Sequence, residues 1–133
     1  MSQRYMLDTN VVSHIMQGRD VDLLARLIQL PVGQVVMSSI TLAELEYGLH
    51  RKGQPIRLKK AMTQVLLHMD VLPWDEQVAR CYGELCSTLE AKGINFSDLD
   101  MMIAAHAVAV DATLVSRDRA FTQATDRLKL EVW

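Results

Sequence analysis

The feature that most constrains the fold is a regular alternation of short apolar runs and longer amphipathic segments. The short runs are rich in β-branched and other apolar residues, which is typical of buried strands. Strands joined through helices predict an α/β fold, in which a mainly parallel central sheet carries helices on both faces. The predicted strands cover residues 5–7, 35–37, 71–72, 113–115 and 130–132.

Helical periodicity fills the stretches between these strands. The clearest predicted helix covers residues 75–92, where Asp75 can cap the start and Gly93 follows the end. Residues 98–110 are almost entirely apolar after the first turn, which predicts a central helix. Further helices are expected over residues 20–30, 41–49, 56–68 and 119–125.

Length and composition predict one domain. The 133 residues are half apolar, with six glycines and three prolines, which argues against disorder and low-complexity structure. With no internal repeat or linker, residues 1–133 form a single predicted domain. Cys81 and Cys86 fall on the apolar stripe of one helix, so we expect packing roles in a reducing compartment. The four histidines lack metal-ligand spacing, and His106 is expected in or near the core.

Charge is unevenly distributed along the chain. The net charge is −2, which argues against a globally basic nucleic-acid binder. Residues 47–69, however, contain no acidic residue. No apolar stretch is long enough for a signal peptide or a membrane span, so we expect a cytoplasmic protein with no membrane contact. The acid-free stretch includes a basic segment, residues 51–60, that contains Arg51, Lys52, Arg57, Lys59 and Lys60.

Four acidic residues are placed where a parallel sheet would gather them. Asp8 and Asp118 follow predicted strands, while Glu44 and Asp100 lie in the first turns of predicted helices. Sheets of this kind form their sites beyond the carboxyl ends of the strands. Carboxylates that converge there repel one another, so some stay protonated unless a cation compensates. Oxygen-only sites suit Mg²⁺ or Mn²⁺ rather than Zn²⁺.

Each acid also has a purely local interpretation. Glu44 stands three residues after Thr41, as in a capping box, and Asp100 stands likewise after a serine. Asp8 fits a turn, and Asp118 fits the N-cap of the short helix that follows. The order of the acids along alternating strands and helices favours the functional interpretation, in which all four belong to one site.

Four blocks of sequence span nearly the whole chain. They are MLDTN at residues 6–10, SSITLAELEYG at 38–48, DMMIAAHA at 100–107 and LVSRDRAF at 114–121. In these blocks and in their order the chain resembles the PIN-domain ribonucleases and, within them, the VapC-like toxins of bacterial toxin–antitoxin modules.

The resemblance implies a PIN-like three-layer fold and an acidic site on Asp8, Glu44, Asp100 and Asp118. These acids would be catalytic and would hold Mg²⁺ or Mn²⁺, with Asp8 and Asp100 as direct ligands. Glu44 would be a ligand or hold the attacking water. Asp118 would act through water or on a second ion.

Auxiliary positions follow from the same blocks. Thr9 adjoins the first acid, and Ser116 stands where the family usually has threonine. Arg117 departs from the usual asparagine, which leaves the fourth acid less secure. Asp98 and Asp100 both precede the Ile-Ala-Ala run; their spacing favours Asp100 as the site acid and Asp98 as the helix start.

The function implied is a metal-dependent endoribonuclease toxin that inhibits translation. The basic segment, together with Arg117 and Arg119, would contact the RNA backbone, unless it forms a solvated helix face. The resemblance also implies a homodimer, a VapB-like antitoxin whose C-terminal segment covers the toxin's groove, and initiator tRNA as substrate, cut in the anticodon stem-loop. Two alternatives stay open: a housekeeping PIN-type RNA-processing nuclease, and a non-catalytic PIN-like scaffold that binds RNA or protein. The complete acid set argues against the scaffold.

Overall fold

The computed structural model describes residues 3–133, and within them five parallel strands form one sheet in the order β3-β2-β1-β4-β5. Every pairing between neighbouring strands is parallel, which confirms the predicted sheet. The strands are β1 (Tyr5–Leu7), β2 (Val35–Ser38), β3 (Asp70–Leu72), β4 (Thr113–Val115) and β5 (Leu130–Glu131).

The helices match the expected segments with one exception. Helix α1 was not expected, because its Thr, Asn, Val and Ser residues are weak helix formers and it follows β1 with no loop. The spacing of Val11, Val12 and Ile15, all buried, is the signal that could have found it. The helices are α1 (Thr9–Gln17), α2 (Val21–Gln29), α3 (Ser39–Arg51), α4 (Ile56–His68), α5 (Glu76–Ala91) and α6 (Asp98–Ala109), with a short 3-10 helix at Arg119–Ala124.

Side chains alternate across the sheet and build a core on each face. Met6 and Leu114 pack into the core formed with α5, α6 and the 3-10 helix. Leu7 and Val115, one residue further along the same strands, pack into the core formed with α1, α2 and α4. This period of two is what covers a sheet on both sides. The result is a three-layer arrangement.

Helix α3 contacts both layers. Its first turn places Ile40 against the α5–α6 core, while Leu45 packs into the other core. The helix therefore spans the carboxyl end of the sheet, where it can bring side chains from both layers together. Within residues 3–133, no helix is both long and apolar enough to cross a membrane.

Candidate active site

The sheet has a topological switch point between β1 and β4. From the central β1 the chain builds outwards through β2 and β3, and then crosses to the other side to form β4 and β5. Loops after the two strands at such a point diverge and leave a crevice, which is where open α/β sheets bind ligands. Asp8 directly follows β1, and its backbone N–H donates to the Val115 carbonyl of β4 at 3.0 Å.

Asp8 is a buried carboxylate at this switch point. It caps α1 by accepting a hydrogen bond from the Val11 backbone N–H at 2.9 Å. Burial raises the pKa of Asp8 most strongly; hydrogen bonds from Ser116 and Val11 oppose that shift, and the charges of Asp100 and Asp118 add to it. The structure thus brings three of the four predicted acids close enough to interact electrostatically.

Glu44 reaches the same crevice through Thr9. The Thr9 hydroxyl donates to Glu44 Oε1 at 2.6 Å, linking α1 to α3 directly beside Asp8. The capping-box interpretation of Glu44 is wrong, because Ser38 is the N-cap of α3 and Thr41 lies inside the helix. Thr41 is instead buried and lies 3.3 Å from the Thr9 hydroxyl. Glu44 is therefore held by a tertiary contact and does not cap its own helix.

Asp98 and Asp100 point to different surroundings. Ser97 caps α6 by accepting from the Asp100 backbone N–H at 3.3 Å, as the sequence predicts. Asp98 is the first residue of the helix and is exposed. Burial raises the pKa of Tyr82 on α5, and the charge of Asp98 adds to that shift, whereas the acids that raise the pKa of the buried Asp8 are Asp100 and Asp118. Asp100 is therefore the acid of this pair that faces the crevice.

Asp118 combines the local role with proximity to the other acids. Its carboxylate accepts from the Ala120 backbone N–H at 2.9 Å and so caps the 3-10 helix. Its own backbone N–H donates to the buried Ser116 hydroxyl at 3.0 Å. Burial raises the pKa of Asp8 and the Ser116 hydroxyl lowers it, so this hydroxyl lies near both acids.

The acid cluster (Asp8, Glu44, Asp100 and Asp118) is not a closed metal cage. Across residues 3–133, no three histidine, cysteine or acidic side chains are arranged to hold one ion. One oxygen of Glu44 is bound by the Thr9 hydroxyl, and one oxygen of Asp118 caps a helix. The set consists only of carboxylates, and Mg²⁺ commonly binds through one or two carboxylates while keeping several waters. The donors therefore fit a hard, partly hydrated cation.

Part of the basic segment borders the cluster. Arg51 and Lys52 line a cleft of about 200 Å³ together with Thr9 and Glu44. The other three basic residues of the segment are exposed on α4. Of these, Arg57 donates to the carbonyl of Gln17 at the end of α1. Arg51 and Lys52 are thus the members of the segment that adjoin the acids.

The two arginines after β4 differ. The Arg117 guanidinium binds Asp20 at 2.6 Å and also donates to the Trp133 carbonyl at 2.9 Å, so its charge is engaged within the protein. Arg119 is exposed in the 3-10 helix. Of the two, Arg119 is the one free to meet a ligand in this position.

A buried histidine joins the two helices that carry Glu44 and Asp100, and sequence reasoning missed this connection. His106 of α6 is fully buried, as expected, and its Nδ1 lies 2.7 Å from the hydroxyl of Ser38, the N-cap of α3. Its Nε2 has no hydrogen-bond partner in the described part of the chain. Burial lowers the pKa of His106, which favours the neutral form of the ring. A lone histidine in an apolar helix was the only signal available.

Comparisons with known proteins agree on one family. Residues 5–126 match the family model described as PIN domain. The chain is 34% identical over 134 residues to Ribonuclease VapC1 of Haemophilus influenzae (strain R2866), covering 97% of each chain. It is 28% identical over 130 residues to a tRNA(fMet)-specific endonuclease VapC of Shigella flexneri, covering 98% of each. The crystal structure of VapBC2 from Rickettsia felis bound to a promoter DNA fragment matches with a TM-score of 0.89 and 29% identity, covering 98% of this chain and 99% of that one.

Proposed function

This chain belongs to the PIN-domain family, and we propose that it is the ribonuclease toxin of a VapBC-type toxin–antitoxin pair. The observation that carries the proposal is Asp8, a buried carboxylate at the switch point that is affected by the charges of Asp100 and Asp118. Burying such a carboxylate beside two others is unfavourable unless a cation or a proton compensates. The full-length similarity to chains named as ribonucleases supports RNA as the substrate class.

The acids are proposed to hold a divalent cation, Mg²⁺ or Mn²⁺. Asp8 and Asp100 would be its ligands, and Asp118 would act on it through water or on a second ion. The bound cation would supply Lewis-acid polarisation of the scissile phosphate and a lowered pKa for an attacking water. The absence of histidine and cysteine from the cluster supports a hard cation over Zn²⁺.

The protein's own groups have separate tasks in this proposal. Glu44, held by the Thr9 hydroxyl, would accept a proton from the attacking water. Ser116, whose hydroxyl accepts from the backbone N–H of Asp118, would keep the start of the 3-10 helix next to Asp8. Arg51 and Lys52 attract the RNA backbone to the cleft that Glu44 lines.

The test is cleavage of total cellular RNA by the purified protein, with and without EDTA, with the cut ends mapped by sequencing. We expect discrete cuts that EDTA abolishes and that Asp8→Asn does not make. Cleavage that persists in Asp8→Asn would show a contaminating nuclease or a different active site.

Initiator tRNA is the proposed substrate, and the anticodon stem-loop the proposed cleavage site. The supporting observation is the full-length similarity to a relative named as a tRNA(fMet)-specific endonuclease. In the mapping experiment, ends should concentrate in that one tRNA. If many tRNAs were cut equally, the proposed specificity for initiator tRNA would be wrong, but the proposed ribonuclease activity would still hold.

A VapB-like antitoxin is the proposed partner of a homodimeric toxin in the cytoplasm. A hollow of about 250 Å³, lined mainly by apolar side chains of α1, α2 and α4, supports a covering partner. Leu24 and Ile28, which line this hollow, are both exposed, so the hollow belongs to an apolar surface patch of the kind that marks interaction sites. Co-purification with the product of the adjacent gene tests this partner, and the absence of such a gene would favour the housekeeping nuclease.

A further inference from the structure

The cleft beside Glu44 continues along the C-terminal half of α3. Gly48 and Arg51 lie one and two turns beyond Glu44 on this helix, and all three line the cleft. Tyr47 neighbours Gly48 and stands three residues after Glu44, at the spacing that places side chains close together on a helix surface. We call Tyr47, Gly48, Arg51 and Lys52 the α3 track.

Gly48 is unexplained by the fold itself. A glycine inside a helix destabilises it relative to alanine. Gly48 does not have a positive φ, and a Cβ placed there would meet no atom within 4 Å. Neither backbone conformation nor packing therefore requires glycine. What its missing side chain provides is free space on the floor of the cleft, where a ligand can approach the backbone closely.

Tyr47, the residue before Gly48, does not line the cleft itself and presents a flat apolar surface to solvent. Its side chain is 67% exposed, and the Arg51 guanidinium carbon lies 5.7 Å from the ring centroid. An exposed aromatic ring next to arginine is the combination on which unpaired nucleic-acid bases stack, in a manner tolerant of sequence. A base in a duplex is not available for such stacking.

The positive charge of the α3 track also favours a nucleic acid as its ligand. Residues 47–69 contain no acidic residue, and the ion pairs found within residues 3–133 include none of the basic residues from 51 to 60. Arg51 and Lys52 therefore offer uncompensated positive charge at the end of the cleft opposite Glu44. A phosphate chain would find compensation there and not at the acid cluster.

We propose that the α3 track binds a single-stranded segment of RNA next to the scissile phosphate, with the backbone passing over Gly48 towards Arg51 and Lys52 and one base stacked on Tyr47. The identity of the ligand as RNA rests on the proposed function. This proposal accounts for two features at once: Gly48, a helix glycine that the fold does not require, and Tyr47, an aromatic ring exposed to solvent.

A larger side chain at Gly48 tests whether the RNA backbone passes over this residue. The variant is Gly48→Leu, and the matched control is Gly83→Leu, since Gly83 is also an interior helix residue, on α5, whose added Cβ would meet no atom within 4 Å. Binding of a fluorescein-labelled single-stranded RNA of mixed sequence is measured in EDTA, so that cleavage plays no part.

We expect Gly48→Leu to weaken binding about tenfold or more, while Gly83→Leu binds as the wild type does. Both leucines should leave the thermal midpoint unchanged or raised, because leucine favours helix more than glycine does. Equal binding by Gly48→Leu and the wild type would overturn the proposal, as would a wild type that does not bind this RNA.

Substitutions of Tyr47 test whether an RNA base stacks on its ring. Tyr47→Ala should weaken binding of the single-stranded RNA about tenfold, whereas Tyr47→Phe should retain it, because stacking needs the ring and not the hydroxyl. Binding of a blunt RNA duplex should be equal in all three proteins. Loss in Tyr47→Phe equal to that in Tyr47→Ala would overturn the stacking assignment.

Two further outcomes separate this inference from its premise. Should the wild type bind RNA through the track but never cleave it with Mg²⁺ or Mn²⁺, the inference stands and the proposed function fails. Should Gly48→Leu keep RNA binding but lose the complex with the adjacent gene's product, the track is a protein-docking face and the proposal is wrong.

Discussion

The acid cluster and the basic segment share one cleft, which Glu44 lines together with Arg51 and Lys52, yet the two regions are assembled in opposite ways. The acids come from four separate places in the chain, and only the switch point between β1 and β4 brings Asp8 near Asp118. The basic residues come from one continuous run, residues 51–60, across the end of α3 and the start of α4. The cluster therefore depends on the whole fold, whereas the segment depends on local sequence.

This difference teaches how the two regions should respond to change. The acids are coupled, since burial and mutual repulsion act on Asp8 at once. The basic residues are exposed, and in the proposed function they would act additively through long-range attraction to phosphates. Substitutions in the cluster should therefore abolish chemistry abruptly, and substitutions in the segment should weaken binding gradually.

The largest effect is expected from the acids themselves. Asp8→Asn and Asp100→Asn should each lower the cleavage rate by more than about a hundredfold, because loss of even an outer-shell partner costs about 10–100-fold in activity. Asp98→Asn is the matched control in the same helix turn and should cleave normally. Initial rates on the mapped RNA measure this. If Asp100→Asn cleaved normally and Asp98→Asn did not cleave, Asp98 and not Asp100 would be the acid of the site.

The basic segment gives the next largest effect. Replacing Arg57, Lys59 and Lys60 together by glutamine should weaken RNA binding roughly tenfold and lower the slope of log Kd against log salt by up to about 2, since each phosphate contact on a single strand contributes about 0.7. Turnover at saturating RNA should change little. If the salt dependence of binding were unchanged, these residues would not contact phosphates, and the RNA would have to pass near Arg119 instead.

Metal binding should increase the stability of the wild-type protein. At about 100 times its Kd, Mg²⁺ or Mn²⁺ should stabilise the wild type by about 2.7 kcal/mol, which raises the thermal midpoint on the order of 10 °C. In the proposed function the ion binds the folded acid cluster and not the unfolded chain, so Asp8→Asn should show no shift. Thermal unfolding monitored by circular dichroism measures both proteins. An equal shift in the two would place the ion outside the cluster.

The smallest effect concerns pH in the absence of metal. The pKa of Asp8 is raised on folding, so its contribution to stability is complete below the unfolded value of 3.8 and is lost as pH rises through the folded pKa. In EDTA, the midpoint of the wild type should therefore fall relative to Asp8→Asn as the pH is raised from about that value towards neutrality. A constant difference would mean that Asp8 titrates normally in the folded protein.

Sequence patterns predicted what depends on neighbouring residues. The strands, the long apolar α6 and the caps by Asp75, Ser97 and Asp118 follow from local spacing, and the structure contains them all. Helix α1 escaped detection because its residues favour strand and turn as much as helix. Its start directly at Asp8 is set by packing of Val11 and Val12 against the sheet.

Contacts between distant residues could not be predicted in the same way. The hydroxyl that holds Glu44 comes from Thr9, 35 residues earlier, and the carboxylate that engages Arg117 comes from Asp20, 97 residues earlier. The link from Ser38 to His106 spans 68 residues. Such partners depend on strand order and side-chain direction, which a pattern of residue types does not specify.

The strand order has a consequence for how the protein is made. The second neighbour of β1 is β4, so Asp8, near the beginning of the chain, meets Ser116 and Asp118 only after some hundred further residues have been translated. A nascent chain still on the ribosome, or one released before β4, cannot assemble the acid cluster, and a protein truncated before Thr113 should show no cleavage of RNA. The topology therefore delays assembly of the acid cluster until β4 has been synthesised and has paired with β1.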